Sequence, residues 1–448
     1  MKKILPILIG LSIGSISMSS YADSLLDIYQ QAKTNDPVLR KAAADRDGVV
    51  EQINQARASL LPQLNATGTA DYSRSNFNTV NEQNQTAAKL NLTQSLYDRA
   101  NWVRLTQSEK RASQAEVNYS AAQQNLILRV ANAYFGVLRA QDNLTVILAE
   151  KKAVFRQLEQ TKQRFDVGLV AITDVQDAQA QYDQVRASQI TAQNDLDNSL
   201  ENLREITGNL PSQINILDTK QFSTDMPLKI DQLMKEADAK NLNLMSARLG
   251  QELSREGVRL ASSGHLPTLG LQGSMVIVDT DVSRGTSLVN QSNHGDDSSV
   301  GITLSIPIYS GGRTSSEVRQ AEYGFISSSE ALEQAYREIQ KNVRAAHNNI
   351  VASISSIKAN EQAVVSAKSA LDATEAGYEV GTRTIVDVLN STRSLYNTNR
   401  QLANARYDYL INTLNLQGAV GVLNENNILV LNKVLNTPSP IIPEESIQ

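Results

Sequence analysis

Residues 380–396 read VGTRTIVDVLNSTRSLY, and residues 167–183 read VGLVAITDVQDAQAQYD. Gly381 corresponds to Gly168, and Asp387 corresponds to Asp174, at one constant offset. Each copy lies between two long stretches of helical periodicity, and glycine readily ends a helix in a turn. The chain is therefore predicted to be a tandem repeat, with a helical hairpin in each copy.

The repeat divides the chain into two similar units. The first is predicted to span residues 23–218 and the second residues 229–431, with a linker at 219–228. Each unit is predicted to contain a first helix, a strand hairpin and a long helical hairpin. Residues 432–448 contain three prolines among polar residues, and this composition predicts a disordered tail.

The N-terminus and the composition indicate an exported protein. Residues 1–22 have two lysines, an apolar stretch and a small-x-small end at Ala22, which is the pattern of a secretory signal peptide. The chain has no cysteine, which fits a bacterial periplasm or outer membrane better than a disulfide scaffold. The net charge of −5 argues against nucleic acid as a partner. Three histidines without a ligand motif predict neither a metal site nor a cofactor.

The long helices carry narrow apolar seams. Residues 98–165 contain no proline and one glycine, which predicts a helix of roughly 100 Å. Val137, Leu144, Leu158 and Phe165 share one heptad position, and this pattern is typical of a coiled coil. Residues 172–206 are predicted to return antiparallel, and the second unit repeats the arrangement.

Strand-like alternation precedes each long helix. The predicted strands are Gln63–Ser73, Ala88–Tyr97, Thr268–Val282 and Val300–Tyr309, with polar loops at Asn76–Thr86 and Ser283–Ser299. Strands of this length suit a tilted crossing of an outer membrane. Four strands are too few to close a membrane barrel, and open edges are not tolerated in lipid. The sequence therefore predicts an oligomeric barrel, without fixing the number of chains.

Six segments spread over the mature chain resemble the TolC family of outer-membrane ducts. They are LPQL (61–64), LTQSLYD (92–98), RFDVGLVAITDVQ (164–176), GHLPTL (264–269), LSIPIYSGG (304–312) and AGYEVGTRTIVDVL (376–389). The resemblance implies a mainly α homotrimer. Its transmembrane β-barrel, with four strands per chain, continues into a periplasmic α-helical coiled-coil barrel.

The resemblance also implies a function. The expected protein is an outer-membrane exit duct for drug efflux and type I protein secretion, in contact with outer-membrane lipid and extending into the periplasm. A periplasmic adaptor protein and an inner-membrane efflux pump or ABC secretion transporter are expected to open it at its periplasmic tip.

The resemblance further implies residues of a gate. Asp387 corresponds to the aspartate of the family's periplasmic constriction, and Asn390 stands where the best-known member has a second aspartate. Arg383, Tyr378, Asp174 and Thr173 match residues that tie the hairpins shut. The alternatives are an ordinary solvated carboxylate for Asp387 and a surface ion pair for the latch.

Two further groups are candidates for contacts with partners and lipid. The adaptor-docking tips are predicted at Val167, Gly168 and Leu169 and at Val380, Gly381 and Thr382, whose glycines also serve as turn residues. Three aromatic residues at or just past strand ends are predicted membrane-interface anchors, although helix packing would explain them equally well: Tyr97, Trp102 and Tyr309.

Two other classes of protein are alternatives to the duct. A periplasmic stalk or adaptor without a channel also suits long periodic helices, but the strand hairpins argue against it. An enzyme is not predicted, because the sequence offers no Ser/His/Asp set, no metal cluster and no phosphate-binding loop.

Overall fold

A computed structural model describes residues 23–75, 81–211, 213–284 and 290–440. The predicted signal peptide, short parts of the two polar loops and the last eight residues lie outside this range. The elements in chain order are α1 (Leu25–Asn35), α2 (Pro37–Ala58), β1 (Gln63–Ser75), β2 (Asn81–Tyr97), α3 (Arg99–Asp166), α4 (Ile172–Thr207), β3 (Gln213–Leu217), α5 (Ile230–Lys240), α6 (Leu242–Ser263), β4 (Thr268–Arg284), β5 (Asn290–Ser305), α7 (Arg313–Glu379), α8 (Ile385–Val420), α9 (Glu425–Asn432) and β6 (Leu435–Pro440).

Two long helical hairpins dominate the molecule. The first hairpin is α3 with α4, the second is α7 with α8, and α3 alone contains 68 residues, or about 100 Å of helix. Within the first hairpin, a seam of apolar side chains at heptad spacing is buried: Val137, Leu144, Ile147, Val154 and Leu158 from α3, and Ala178, Val185, Ala192 and Leu196 from α4. Among the described residues, no helix combines the length and the apolar character needed to cross a bilayer.

One predicted member of the seam lies outside it. Phe165 is 39% exposed, although it shares the heptad position of Leu158, which is 1% exposed. Phe165 is in the last turn of α3, where the chain is about to reverse at Gly168. The coiled-coil seam therefore ends before the tip of the hairpin.

Four of the strands form an antiparallel sheet in the order β1-β2-β4-β5. Residues directly opposite each other point to the same face, and the pairs Leu269↔Leu304, Leu271↔Ile302 and Gly273↔Val300 give one face an apolar band. Further along the same face, Ile277 pairs with Asp296 and Asp279 with His294, so the band ends there. The other face is mainly polar. A sheet with one apolar and one polar face is suited to contact with lipid on its apolar side.

The strands are longer than the sequence predicted. Residues 81–86 and 290–299 were predicted as loops, but they extend β2 and β5 by continuous antiparallel pairing. The fourth strand ends at Ser305 rather than Tyr309, because Pro307 has no N–H for the ladder. The polar extensions gave no apolar alternation, which is why the prediction missed them.

The prediction of a disordered tail from Asn432 is wrong for residues 435–440. These residues form β6, which pairs antiparallel with β3. Leu435 of β6 and Ile214 of β3 are both buried. Asp23 bridges to Ile214 on the other side of β3, so both ends of the described chain meet at this point. Pro438 and Pro440 are tolerated because β6 is an edge strand.

Candidate functional site

The two hairpins end in turns of the same design. Gly168 and Gly381 have φ of 77° and 79°, a left-handed conformation in which a side chain would be strained. The N–H of Leu169 donates to the carbonyl of Arg164 at 2.8 Å, and that of Thr382 donates to the carbonyl of Gly377 at 2.8 Å. Both glycines therefore have the predicted conformational role as helix-ending turn residues.

Apolar side chains project from both turns. Val167, Leu169 and Val380 are each at least 70% exposed, whereas the seam residues Val154, Leu158 and Val185 are at most 3% exposed. Such apolar groups in water mark a surface suited to a protein partner. The structure thus places the predicted adaptor-docking residues at the ends of the two hairpins, where a partner can reach them.

The second turn carries a reciprocal cap that the first turn lacks. The Asp387 carboxylate accepts from the Thr384 N–H at 3.0 Å and from its hydroxyl at 2.9 Å, and the Asp387 N–H donates to the Thr384 hydroxyl at 3.3 Å. These hydrogen bonds, with a smaller effect of Arg383, lower the pKa of Asp387. Ala171 at the equivalent position of α4 gives no side-chain cap. Asp387 is therefore held ionised and fixed in orientation by its own helix.

Asp387 and Asn390 lie one turn apart on α8, away from its buried face. That face contains Ile385, Val388 and Leu389, all less than 6% exposed. Residues three apart are neighbours on a helix surface. The two predicted constriction residues therefore share a surface that can face water or a pore.

Tyr378 is the predicted latch residue that contacts the other hairpin. The Arg164 guanidinium lies 4.6 Å from the centre of its ring, in cation–π geometry. The ring is nearly buried, and its hydroxyl has no hydrogen-bond partner among the residues that the structure describes. A buried hydroxyl without a hydrogen bond destabilises the protein. A partner that accepts or donates a hydrogen bond at this hydroxyl would therefore be favoured.

The remaining latch residues are not brought together by one chain. Arg383 packs across Gly377, where a Cβ would lie 2.7 Å from the Arg383 Cγ. In the described part of the chain, no hydrogen bond or ion pair joins Arg383 to Asp174 or Thr173. A latch between them stays a prediction.

A cavity between the two hairpins was not predicted from the sequence. It has a volume of about 620 Å³ and opens beside Tyr378; its lining includes Arg156, Gln157, Arg164, Glu375 and Tyr396. The signal in the sequence is the polar pair Gln157 and Arg164, one heptad apart on α3, where an apolar seam would place hydrophobic residues. Among the described residues, no group of three or more His, Asp or Glu side chains forms a candidate metal site.

The predicted interface aromatics lie where the sheet meets the helices. Tyr97 pairs with Leu269 at the end of β2, and Trp102 is in the first turns of α3. Tyr309 follows β5 and is 88% exposed. Tyr72, missed in the sequence, is also exposed and opposes Asn84, near the other end of the apolar band. Anchoring in lipid remains a prediction for Tyr97, Trp102 and Tyr309.

A four-stranded sheet with one apolar face, continued by two helical hairpins whose longer helices measure about 100 Å, is the chain architecture of outer-membrane channel proteins. The sequence profile of the family described as "Outer membrane efflux protein" matches residues 28–209 and 233–422. The chain belongs to this family, and its location is the outer membrane.

Individual relatives agree with the family. The chain is 52% identical to the outer membrane protein TolC of Escherichia coli (strain K12), covering 99% of this chain and 91% of that protein. It is 49% identical to TolC of Vibrio cholerae, covering 96% and 98%. It is 29% identical to the proteases secretion protein PrtF of Dickeya chrysanthemi, covering 96% and 94%.

The fold also agrees with a solved structure. The crystal structure of CusC, a transmembrane channel, superposes with a TM-score of 0.74 over 89% of this chain and 92% of that one, at 18% identity. The predicted fold class is thereby confirmed at the level of the chain. These relatives are channel and secretion proteins, and they give no support to the alternative of a stalk without a channel.

Proposed function

We propose that three copies of this chain form one outer-membrane exit duct for drug efflux and type I protein secretion. The observation that carries the proposal is the sheet, which has one apolar face, unpaired edges at β1 and β5, and a direct continuation into the hairpins. Pairing of β5 in one copy with β1 in the next would give twelve strands and remove every edge. The helices would then extend the lumen into the periplasm.

The gate of this duct lies at the hairpin tips. Three copies of Asp387 around the axis would place negative charge at the narrowest point and favour cations. The cap from Thr384 keeps each carboxylate ionised, while repulsion among the three acts in the opposite direction. Arg383 of one copy would contact Asp174 of a neighbour, and this charge-assisted contact would hold the tips together.

The duct is passive and depends on partners. The exposed Val167, Leu169 and Val380 offer apolar contacts to a periplasmic adaptor protein. An inner-membrane efflux pump or an ABC secretion transporter would supply the energy and the choice of substrate. The chain itself is proposed to carry no enzymatic activity.

Single-channel recording of the purified protein in planar bilayers tests this proposal. The wild type is expected to give a small cation-preferring conductance. Asp387→Ala should reduce the cation preference, and Arg383→Ser should increase the conductance. Lack of any channel would contradict the duct, whereas a channel indifferent to both changes would remove only the gate assignment.

A further inference from the structure

The four-stranded sheet has two edges without a partner in its own chain. β1 and β5 are its outermost strands, and every pairing between neighbouring strands is antiparallel. Three antiparallel pairings separate β5 from β1, so β5 runs opposite to β1 and can continue the same pattern with the β1 of a second copy. The register of this pairing decides which side chains of the two copies meet.

The tilt of the strands in a barrel sets the approximate register. Inside one chain, the pairing leads straight across the four strands from Leu64 of β1 to Val300 of β5. Outer-membrane strands are tilted by about 45°, so a path straight across them also travels along the barrel. Four steps of about 4.8 Å at this tilt give a stagger of about 19 Å, or about six residues of strand. Val300 is therefore expected opposite Ala70 of the next copy, because the opposite shift would place it against Ala58 at the end of α2.

The lipid-facing side chains of the two edges fit each other in this register. Three large aliphatic residues of β5, each at least 60% exposed in the single chain, would oppose three small residues of β1: Val300 opposite Ala70, Ile302 opposite Gly68, and Leu304 opposite Ala66. Gly68 has no positive φ, and a Cβ at this position would meet no described atom of its own chain within 4 Å. A glycine inside a strand often marks the close approach of a neighbouring group, and the Ile302 side chain of the next copy would be that group.

Each edge also carries an exposed charge on the lipid-facing side, just beyond the apolar band. Arg74 of β1 is 3.6 Å from the Glu82 carboxylate of its own chain, and its side chain is 56% exposed, so its guanidinium has further donors to offer. Asp296 of β5 is exposed on the same face, and within the described residues it forms no ion pair. The register that pairs Val300 with Ala70 also places Asp296 directly opposite Arg74 of the next copy. Opposite charges in directly opposed positions stabilise a strand pairing.

Neighbouring registers lack this fit. A slip of one residue would turn the apolar side chains of one strand toward the lumen. A slip of two residues in one direction would bring Asp297 of β5 opposite Asp71 of β1, and like charges in opposed positions are destabilising. A slip of two residues in the other direction would place Arg74 opposite the uncharged Ser298. The register with the six-residue stagger is therefore favoured over its nearest competitors.

We propose that β5 of one copy pairs with β1 of the next in this staggered register, and that Arg74 and Asp296 form an ion pair between the copies. Residues 295–305 would then pair with residues 65–75 in antiparallel order. Each of the three junctions between copies would carry one such ion pair. This inference rests on the proposed trimeric duct, and it names the contact that closes its barrel.

Disulfide cross-linking of the full-length protein in outer membranes tests the register. The chain has no cysteine of its own, so an introduced pair is the only source of disulfides. Thr67→Cys/Thr303→Cys places two thiols directly opposite each other across the junction, within the Cα separation of about 4.4–6.8 Å that a disulfide needs. Mild oxidation is expected to link the three copies covalently, as measured on denaturing gels. Thr303→Cys with Asn65→Cys or with Thr69→Cys is the matched control, because a diagonal pair about 7–8 Å apart should stay unlinked.

A charge reversal tests the ion pair. Asp296→Lys places a lysine opposite Arg74 of the next copy, and the yield of heat-resistant oligomer is expected to fall about fivefold. Asp297→Lys is the matched control, since it makes the same change one position along the strand, on the lumen side and opposite Ser73. Its oligomer yield should stay close to that of the wild type.

The outcomes separate this inference from the duct on which it rests. Cross-linking through Asn65 or Thr69 instead of Thr67, or no cross-link in an oligomer that conducts ions, would overturn the staggered register and leave the duct standing. Equal oligomer yields of Asp296→Lys and Asp297→Lys would overturn the ion pair. A wild-type protein that forms neither an oligomer nor a channel would contradict the proposed duct itself.

Discussion

At the scale of single residues, the two turns differ most at their caps. Thr384 and Asp387 close a reciprocal cap at the start of α8, whereas Ala171 leaves the first N–H groups of α4 without a side-chain acceptor. Asp174 already stands three residues after Ala171, where Asp387 stands after Thr384. The first turn therefore differs from the second at its cap by one missing hydroxyl group.

Thr384→Ala should destabilise the start of α8, and Ala171→Thr should stabilise the start of α4, each by about 1 kcal/mol. Thermal unfolding of the detergent-solubilised oligomer measures both. The folded-state pKa of Asp387 is lowered, so the contribution of the cap is present above its ordinary pKa of 3.8 and is lost as pH falls through the folded value. The difference between wild type and Thr384→Ala should accordingly shrink at the lowest pH. An equal difference at all pH values would contradict this role of the carboxylate.

The sequence predicted the position of the site better than its contacts. The turn glycines and the exposed apolar tips follow from the spacing of Gly168 and Gly381 between helices. The cap corresponds to the T-x-x-D pattern that begins at Thr384. The contact of Arg164 with the Tyr378 ring joins residues that are more than 200 positions apart, and local periodicity carries no information on such a pair.

At the scale of elements, the position of a heptad residue along its hairpin decides its energetic role. Leu158→Ala should cost about 2–5 kcal/mol, because a fully buried side chain leaves a cavity in the seam. Phe165→Ala should cost much less, since its ring is 39% exposed beside the turn. Thermal unfolding of both variants measures this contrast. Similar losses would mean that Phe165 is buried in the assembled protein by another copy.

The ends of the strands and of the chain were the elements least predictable from the sequence. From Asn293 to Ser299 both faces of β5 carry polar residues and one glycine, so this part of the strand has no apolar alternation. Hydrophobic periodicity therefore does not indicate a strand in this segment, although the backbone pairing continues. The pairing of β6 with β3 likewise joins residues over 200 positions apart, and its prolines argued locally against a strand.

At the scale of the whole molecule, the sheet of the proposed barrel faces lipid on one side and the aqueous lumen on the other. Its apolar face is set by the register of β4 with β5, where Leu271 faces Ile302 and Gly270 faces Thr303. Adjacent residues of β5 therefore point to opposite sides of the proposed barrel. Ile302 lies between Val300 and Leu304 on the apolar side, near the middle of the band, and Thr303 points to the lumen.

This alternation makes a lysine at two adjacent positions a test of the assembled duct. Ile302→Lys should cost about 2–4 kcal/mol, since it places a charge in the middle of the lipid-facing band. Thr303→Lys should assemble normally, because its charge enters the aqueous lumen, and it should reduce the cation preference of the channel. The yield of heat-resistant oligomer extracted from outer membranes measures assembly, and bilayer recording measures selectivity. If Ile302→Lys assembled as well as Thr303→Lys, the apolar face would not contact lipid, and the proposed barrel would have to be abandoned.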